Sequence, residues 1–358
     1  MTTDIKTEQA ITAAFGAKNR LRLLNTYFSE TAGEVKISTA WQHVYKLLLW
    51  IDQTTGLAHC YESDKCQPGK PWYARSLAFH AWLAQANDST PTKINGEIDW
   101  MFQKAAKELA AEVVRRAASL STNAAKQRQP YESKGFPSPG DDPELVAIVR
   151  QALGSHLATE PSPATWIALV ERIRQYLSLD NKRKNLLGEG FEDVLGSLIR
   201  LCCAGPAAPV VRVRETLNAL PGFKNQKSGS KVNKVDLALV RPKMRTIVTA
   251  KWSVRADREK QFTSDFNDYI AAESDRKPFE YVFVTNEFDP ARLVRACDQL
   301  AGNAAMFTHV VHINTDALKA TYGNLPERSE DSTMRRVIEH IDRGRLLSLE
   351  RWLGMLAT

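Results

Sequence analysis

The sequence predicts an α/β protein, with a mixed central sheet flanked by helices and an α-rich domain N-terminal to it. Two observations carry that expectation. Apolar residues recur at helical spacing through the first 120 residues. From VVRVRETL onward the pattern changes to short runs rich in Val, Ile and Thr, broken by turn sequences such as PGF and SGS.

In chain order, residues 8–31, 38–52, 73–87 and 98–121 read as helices, as in WQHVYKLLLWI and MFQKAAKELAAEVVRRAASL. Residues 122–143 are rich in Ser, Pro, Gly, Gln and Lys and nearly free of apolar side chains, which marks a linker. The expected organisation is therefore an α-helical domain over 1–121, a linker over 122–143 and a second domain over 144–358. Asp141 or Asp142 is placed to cap a helix through 144–157, PSPATW opens another through about 178, and GEGFEDVLGSLIRLCC reads as a third. The runs VVRVRETL, VDLALV, RTIVTAKWSV, YVFVTN and HVVHIN read as strands, with a helix over 259–273. The order is helix, three strands, helix, strand, helix, strand, which belongs to a layered α/β fold.

With 358 residues and 43% hydrophobic content, the chain is long enough for two ordinary domains. It holds no apolar run of membrane-spanning length, and MTTDIKTEQA lacks the segments of a secretory signal, so a cytoplasmic protein is expected. Five scattered cysteines do not make a disulfide framework and predict free thiols. The net charge of +7 suits a polyanionic partner, and its distribution is uneven. Residues 181–260 carry 17 Lys and Arg against 7 Asp and Glu, whereas residues 1–150 carry 18 against 16.

Within that basic region, KVDLALV sets Asp236 among apolar neighbours, where a carboxylate costs free energy unless something pairs with it. After a turn at RPKMR, TIVTAKWSV sets Lys251 in a similar place, with fourteen residues between the two. Such a couple serves as a structural ion pair. It also suits phosphodiester hydrolysis, in which carboxylates hold a divalent cation and an ammonium orients the attacking water or offsets transition-state charge.

On these residues the sequence resembles the PD-(D/E)XK nuclease superfamily, over roughly residues 188–315. The position two before Lys251 is Thr249, so the usual second acid is absent. One group of restriction endonucleases, reading CCGG or CCNGG, also lacks it and draws the carboxylate from a following helix. Asp265 stands at the corresponding place here, with thirteen residues between it and Lys251. That group also carries Arg-x-Asp-Arg after the lysine, and KWSVRADR matches it with Arg255, Asp257 and Arg258. Arginine donates bidentately to guanine and aspartate accepts from cytosine, the chemistry needed to read G·C pairs.

The resemblance implies Glu192 as the helix acid, with Glu189 as its spare, and Asp268 and Glu259 as substitutes for Asp265. It implies Mg²⁺ held by Asp236, Asp265 and Glu192, hydrolysis of double-stranded DNA leaving 5′-phosphate ends, a homodimer or higher homo-oligomer, and a companion DNA methyltransferase. Lys227, Lys231 and Lys234, in a basic loop between strands, are candidates for phosphate contact. Two other functions share these residues: a repair or recombination nuclease with no need of a base-reading motif, and a DNA-binding module whose catalytic centre is dead. His59, Cys60, Cys66 and His80 are metal-ligand types, but their spacing is that of no zinc finger.

Overall fold

Three β-rich runs between residues 210 and 251 follow one another with short connections, which favours antiparallel pairing. The next two runs each follow a helix, which favours parallel pairing. The computed structural model of the chain has that arrangement. It describes residues 10–49, 51–52, 57–58, 73–109, 111, 143–224, 233–254, 259–323 and 332–358. The expected linker, apart from its last residue Pro143, lies outside them.

Among the helices preceding the sheet are α1 Ala17–Thr31, α2 Ala40–Leu48, α3 Tyr73–Ala86, α4 Pro91–Glu97, α5 Pro143–Leu153 and α6 Pro163–Cys202. The six strands of the main sheet are β1 Val210–Val213, β2 Leu237–Val240, β3 Arg245–Lys251, β4 Phe279–Thr285, β5 His309–His312 and β6 Leu346–Ser348. Helices α7 Glu259–Ala272, α8 Pro290–Asp298, α9 Thr315–Gly323 and α10 Ser332–Asp342 connect them, and α11 Leu349–Ala357 follows β6. The sheet order is β6-β5-β4-β3-β2-β1. Strands β1, β2 and β3 pair antiparallel, and β3, β4, β5 and β6 pair parallel. The protein is thus α/β with a mixed central sheet flanked by helices.

The five anticipated strands are all present, and β6 was not anticipated. Two anticipated helices are one: α6 runs unbroken through NKRKN from Pro163 to Cys202. No proline interrupts it after its first residue, and Lys and Arg are good helix formers, so the polar run continues the helix.

The chain divides into two units, one of residues 1–19 and 104–186, the other of residues 20–103 and 187–358. The first unit contains α5 and most of α6. In the second, residues 20–103 join the sheet's own residues. Aromatic contacts carry that joining: Tyr45 lies edge-on to Trp252 with ring centres 6.5 Å apart, Phe191 meets Trp252 at 5.3 Å, and Phe79 meets Phe288 at 5.6 Å. The Tyr45 hydroxyl also donates to Asn286 Oδ1 at 2.9 Å. The core of the sheet is apolar on both sides, with Leu237, Val282, Val284, Val310 and Val311 fully buried.

Candidate functional site

Antiparallel pairing sets Leu237 opposite Val248. Asp236 therefore lies just before β2, level with the end of β3, rather than inside a strand. Lys251 closes β3, where its backbone pairs with Thr285. Both side chains stand at the sheet's margin rather than in its interior, Asp236 at 18% and Lys251 at 29% exposure. Three donors converge on one carboxylate oxygen. Lys251 Nζ donates to Asp236 Oδ2 at 2.7 Å, the Ala250 amide at 2.9 Å and Thr249 Oγ1 at 3.2 Å. Thr249, standing where the second acid was missing, thus acts on Asp236 through its hydroxyl.

Glu192 reaches this corner from α6. It is buried at 7% exposure, and its carboxyl is pushed up to about 7, chiefly by burial and then by the charge of Asp236. Its bond from Arg214 and the charge of Lys251 work the other way. Asp265 approaches from α7 and is pushed up to about 6 by burial, then by Asp236, while Lys251 opposes the shift. Three carboxylates from three elements and one ammonium therefore share one electrostatic neighbourhood. Tyr269, one helical turn beyond Asp265, has its hydroxyl pKa raised by burial first and by Asp265 and Asp236 next. Among the described residues, no group of three His, Cys, Asp or Glu side chains is gathered closely enough to hold a metal ion.

The other candidates are separated from this cluster or lie beyond description. Glu189 is turned to Arg20, whose guanidinium donates to it at 2.6 Å. Asp268 is exposed and accepts from Asn233 Nδ2 at 2.6 Å. Lys234 is exposed. Arg255, Asp257, Arg258, Lys227, Lys231 and the side chain of Glu259 lie outside the described residues, as do His59, Cys60 and Cys66. His80 is buried on α3, and burial lowers its pKa. The described cysteines Cys202, Cys203 and Cys297 are free thiols. No helix among the described residues is long and apolar enough to cross a membrane.

One residue at the site was not anticipated. Arg214, just past β1, donates from Nη1 to Glu192 Oε2 at 3.0 Å and from Nη2 to Asp193 Oδ1. Sequence offered no signal for it, because an arginine after a strand is ordinary and its partners lie 22 and 21 residues away.

No family model matches the chain, and no curated protein matches it. Among solved structures it is similar to metal-depleted Ecl18kI in complex with uncleaved, modified DNA, at 15% identity and a TM-score of 0.31 over 79% of this chain and 77% of that one. It is also similar to the restriction endonuclease PspGI in its substrate DNA complex, at 10% identity and a TM-score of 0.33 over 86% of this chain and 96% of that one. Both likenesses are weak, so a functional reading stands or falls on the chain's own residues.

Proposed function

We propose that the chain is a Mg²⁺-dependent type II restriction endonuclease that hydrolyses double-stranded DNA at a palindromic site with a CCGG or CCNGG core, leaving 5′-phosphate ends. The observation that carries the reading is the Asp236–Lys251 pair at the end of two strands, with Glu192 and Asp265 close enough for the charge of Asp236 to raise both. A purely structural ion pair needs no further carboxylates around it. Their mutual repulsion is a cost that a bound cation relieves.

The donor set suits Mg²⁺, a hard cation that needs only one or two carboxylates and takes its other ligands from water and phosphate. Asp236, with Glu192 or Asp265, would hold it, so the lack of a closed three-ligand group is no obstacle. Bound there, the ion would supply a water of lowered pKa and steady the leaving oxygen. Lys251 would orient that water or offset charge on the phosphate, and Arg255, Asp257 and Arg258 would read the bases. The reading includes a homodimer or higher oligomer, since a two-fold site takes one cut per strand, a cytoplasmic location, and a companion methyltransferase protecting the host's sites.

A DNA-binding module without catalysis is the second reading, favoured by Thr249 in place of an acid and by the engagement of Asp236 by Lys251. Incubation with a long unmethylated duplex, with Mg²⁺ or with EDTA, separates the two once the ends are sequenced. Discrete ends at CCGG or CCNGG sites, lost in EDTA, are expected. Scattered nicks would point to a repair or recombination nuclease, and intact but bound DNA to the inert module.

A further inference from the structure

Arg214 joins two of the candidate ligands in one residue. Its backbone amide donates to the carbonyl of Asp236 at 2.9 Å, and its guanidinium donates to Glu192 Oε2 and to the backbone carbonyl of Glu189 at 3.1 Å. The second guanidinium nitrogen holds Asp193, buried at 3% exposure. On its far side Asp193 takes a bond at 2.6 Å from Arg20, itself buried at 3% exposure, and Arg20 also binds Glu189. The relay thus runs from α1 through Asp193 to Arg214 and Glu192.

Arg214 holds a left-handed backbone, with φ of +51°, in a residue that is not glycine. Such a conformation persists only where its surroundings impose it, and here both ends of the residue are engaged. Helix α6 comes close enough to allow this because position 196 is glycine: a Cβ there would meet Val213 Cγ2 at 2.9 Å.

We infer that Arg214 is a positioning residue, which sets the orientation of Glu192 against Asp236 for a divalent cation and is itself steadied by Arg20 through Asp193. The inference rests on the nuclease reading above. Arg214 spans two carboxylates with a fork that a lysine ammonium does not reproduce, so Arg214→Lys weakens the arrangement and Arg214→Gly, which relieves the backbone, removes it.

The test is Tb³⁺ luminescence sensitised by the chain's Tyr and Trp residues, with Mg²⁺ as competitor, on the full chain and on Arg214→Gly, Arg214→Lys and Asp236→Asn, with melting curves to check the fold. The expected result is a Mg²⁺ midpoint weakened about 10-fold or more in Arg214→Gly, an intermediate value in Arg214→Lys and loss of the signal in Asp236→Asn. A midpoint within about twofold of the unaltered protein in folded Arg214→Gly overturns the inference and leaves the nuclease reading standing, provided Asp236→Asn still abolishes the signal. Should Arg214→Gly fail to fold, an unchanged midpoint in Arg214→Lys overturns it. A luminescence signal that Asp236→Asn does not affect overturns both.

Discussion

Asp236 and Lys251 were conspicuous in the sequence because a charge inside an apolar run needs a partner, and each supplies the other's. Asp265 was singled out by its spacing from Lys251, and its partial burial near the charge of Asp236 separates it from Asp268, one turn away and exposed. Arg214 was invisible, since its meaning depends on a backbone turn and on partners in a different element. His312 was equally silent. It is completely buried beside Thr285, the residue that pairs with Lys251, and its Nδ1 lies 2.8 Å from the Asn314 carbonyl. Burial lowers its pKa from 6.5 to about 4. Between those values the unfolded chain takes up the proton and the folded chain does not, so stability is complete above about pH 6.5 and is lost as pH falls toward 4. The shift corresponds to about 3 kcal/mol at full expression. Denaturant unfolding at a series of pH values is expected to show this acid loss in the unaltered protein and a flatter curve in His312→Gln. Equal slopes would mean that His312 does not titrate as described.

The strands were legible as elements because Val, Ile and Thr cluster in runs bounded by turn residues, and the boundaries of α6 were not. The sequence reads as one helix through about 178 and another from GEGFEDVLGSLIRLCC, but a helix tolerates isolated glycines such as those at 188 and 190 when tertiary contacts carry it. The glycines also differ in purpose. A Cβ on Gly188 meets nothing within 4 Å, while one on Gly196 runs into Val213. Alanine gains about 1 kcal/mol over glycine in a helix interior, whereas forcing volume into a packed contact costs about 1–3 kcal/mol. Gly188→Ala should therefore raise the melting temperature. Gly196→Ala should lower it, because the clash exceeds the propensity gain, and a rise there would contradict the close approach of α6 to β1. Strand β6 escaped the sequence reading because three residues are too few to show alternation.

At the scale of the whole molecule, charge distribution and the mixed character of the sheet were both readable, and the company that residues 20–103 keep was not. Helical periodicity reveals a helix but not which surface covers it, so residues 20–103 gave no sign that they pack in the unit containing the sheet. The contacts of Tyr45 with Asn286 and Trp252 tie that segment to residues within a few positions of Lys251 and Thr285. In the sequence, the basic excess falls over residues 181–260, the stretch that contains Asp236 and Lys251, which is what the proposed DNA substrate would require. In the proposed function, the Asp236–Lys251 pair performs the hydrolysis. Single-turnover cleavage of a duplex bearing the mapped site should be measured for the unaltered protein, Asp236→Asn and Lys251→Ala, with DNA binding followed in parallel. Both variants are expected to bind DNA and to lose about 10²-fold or more in cleavage rate. Variants that cleave as fast as the unaltered protein would contradict that role for the pair.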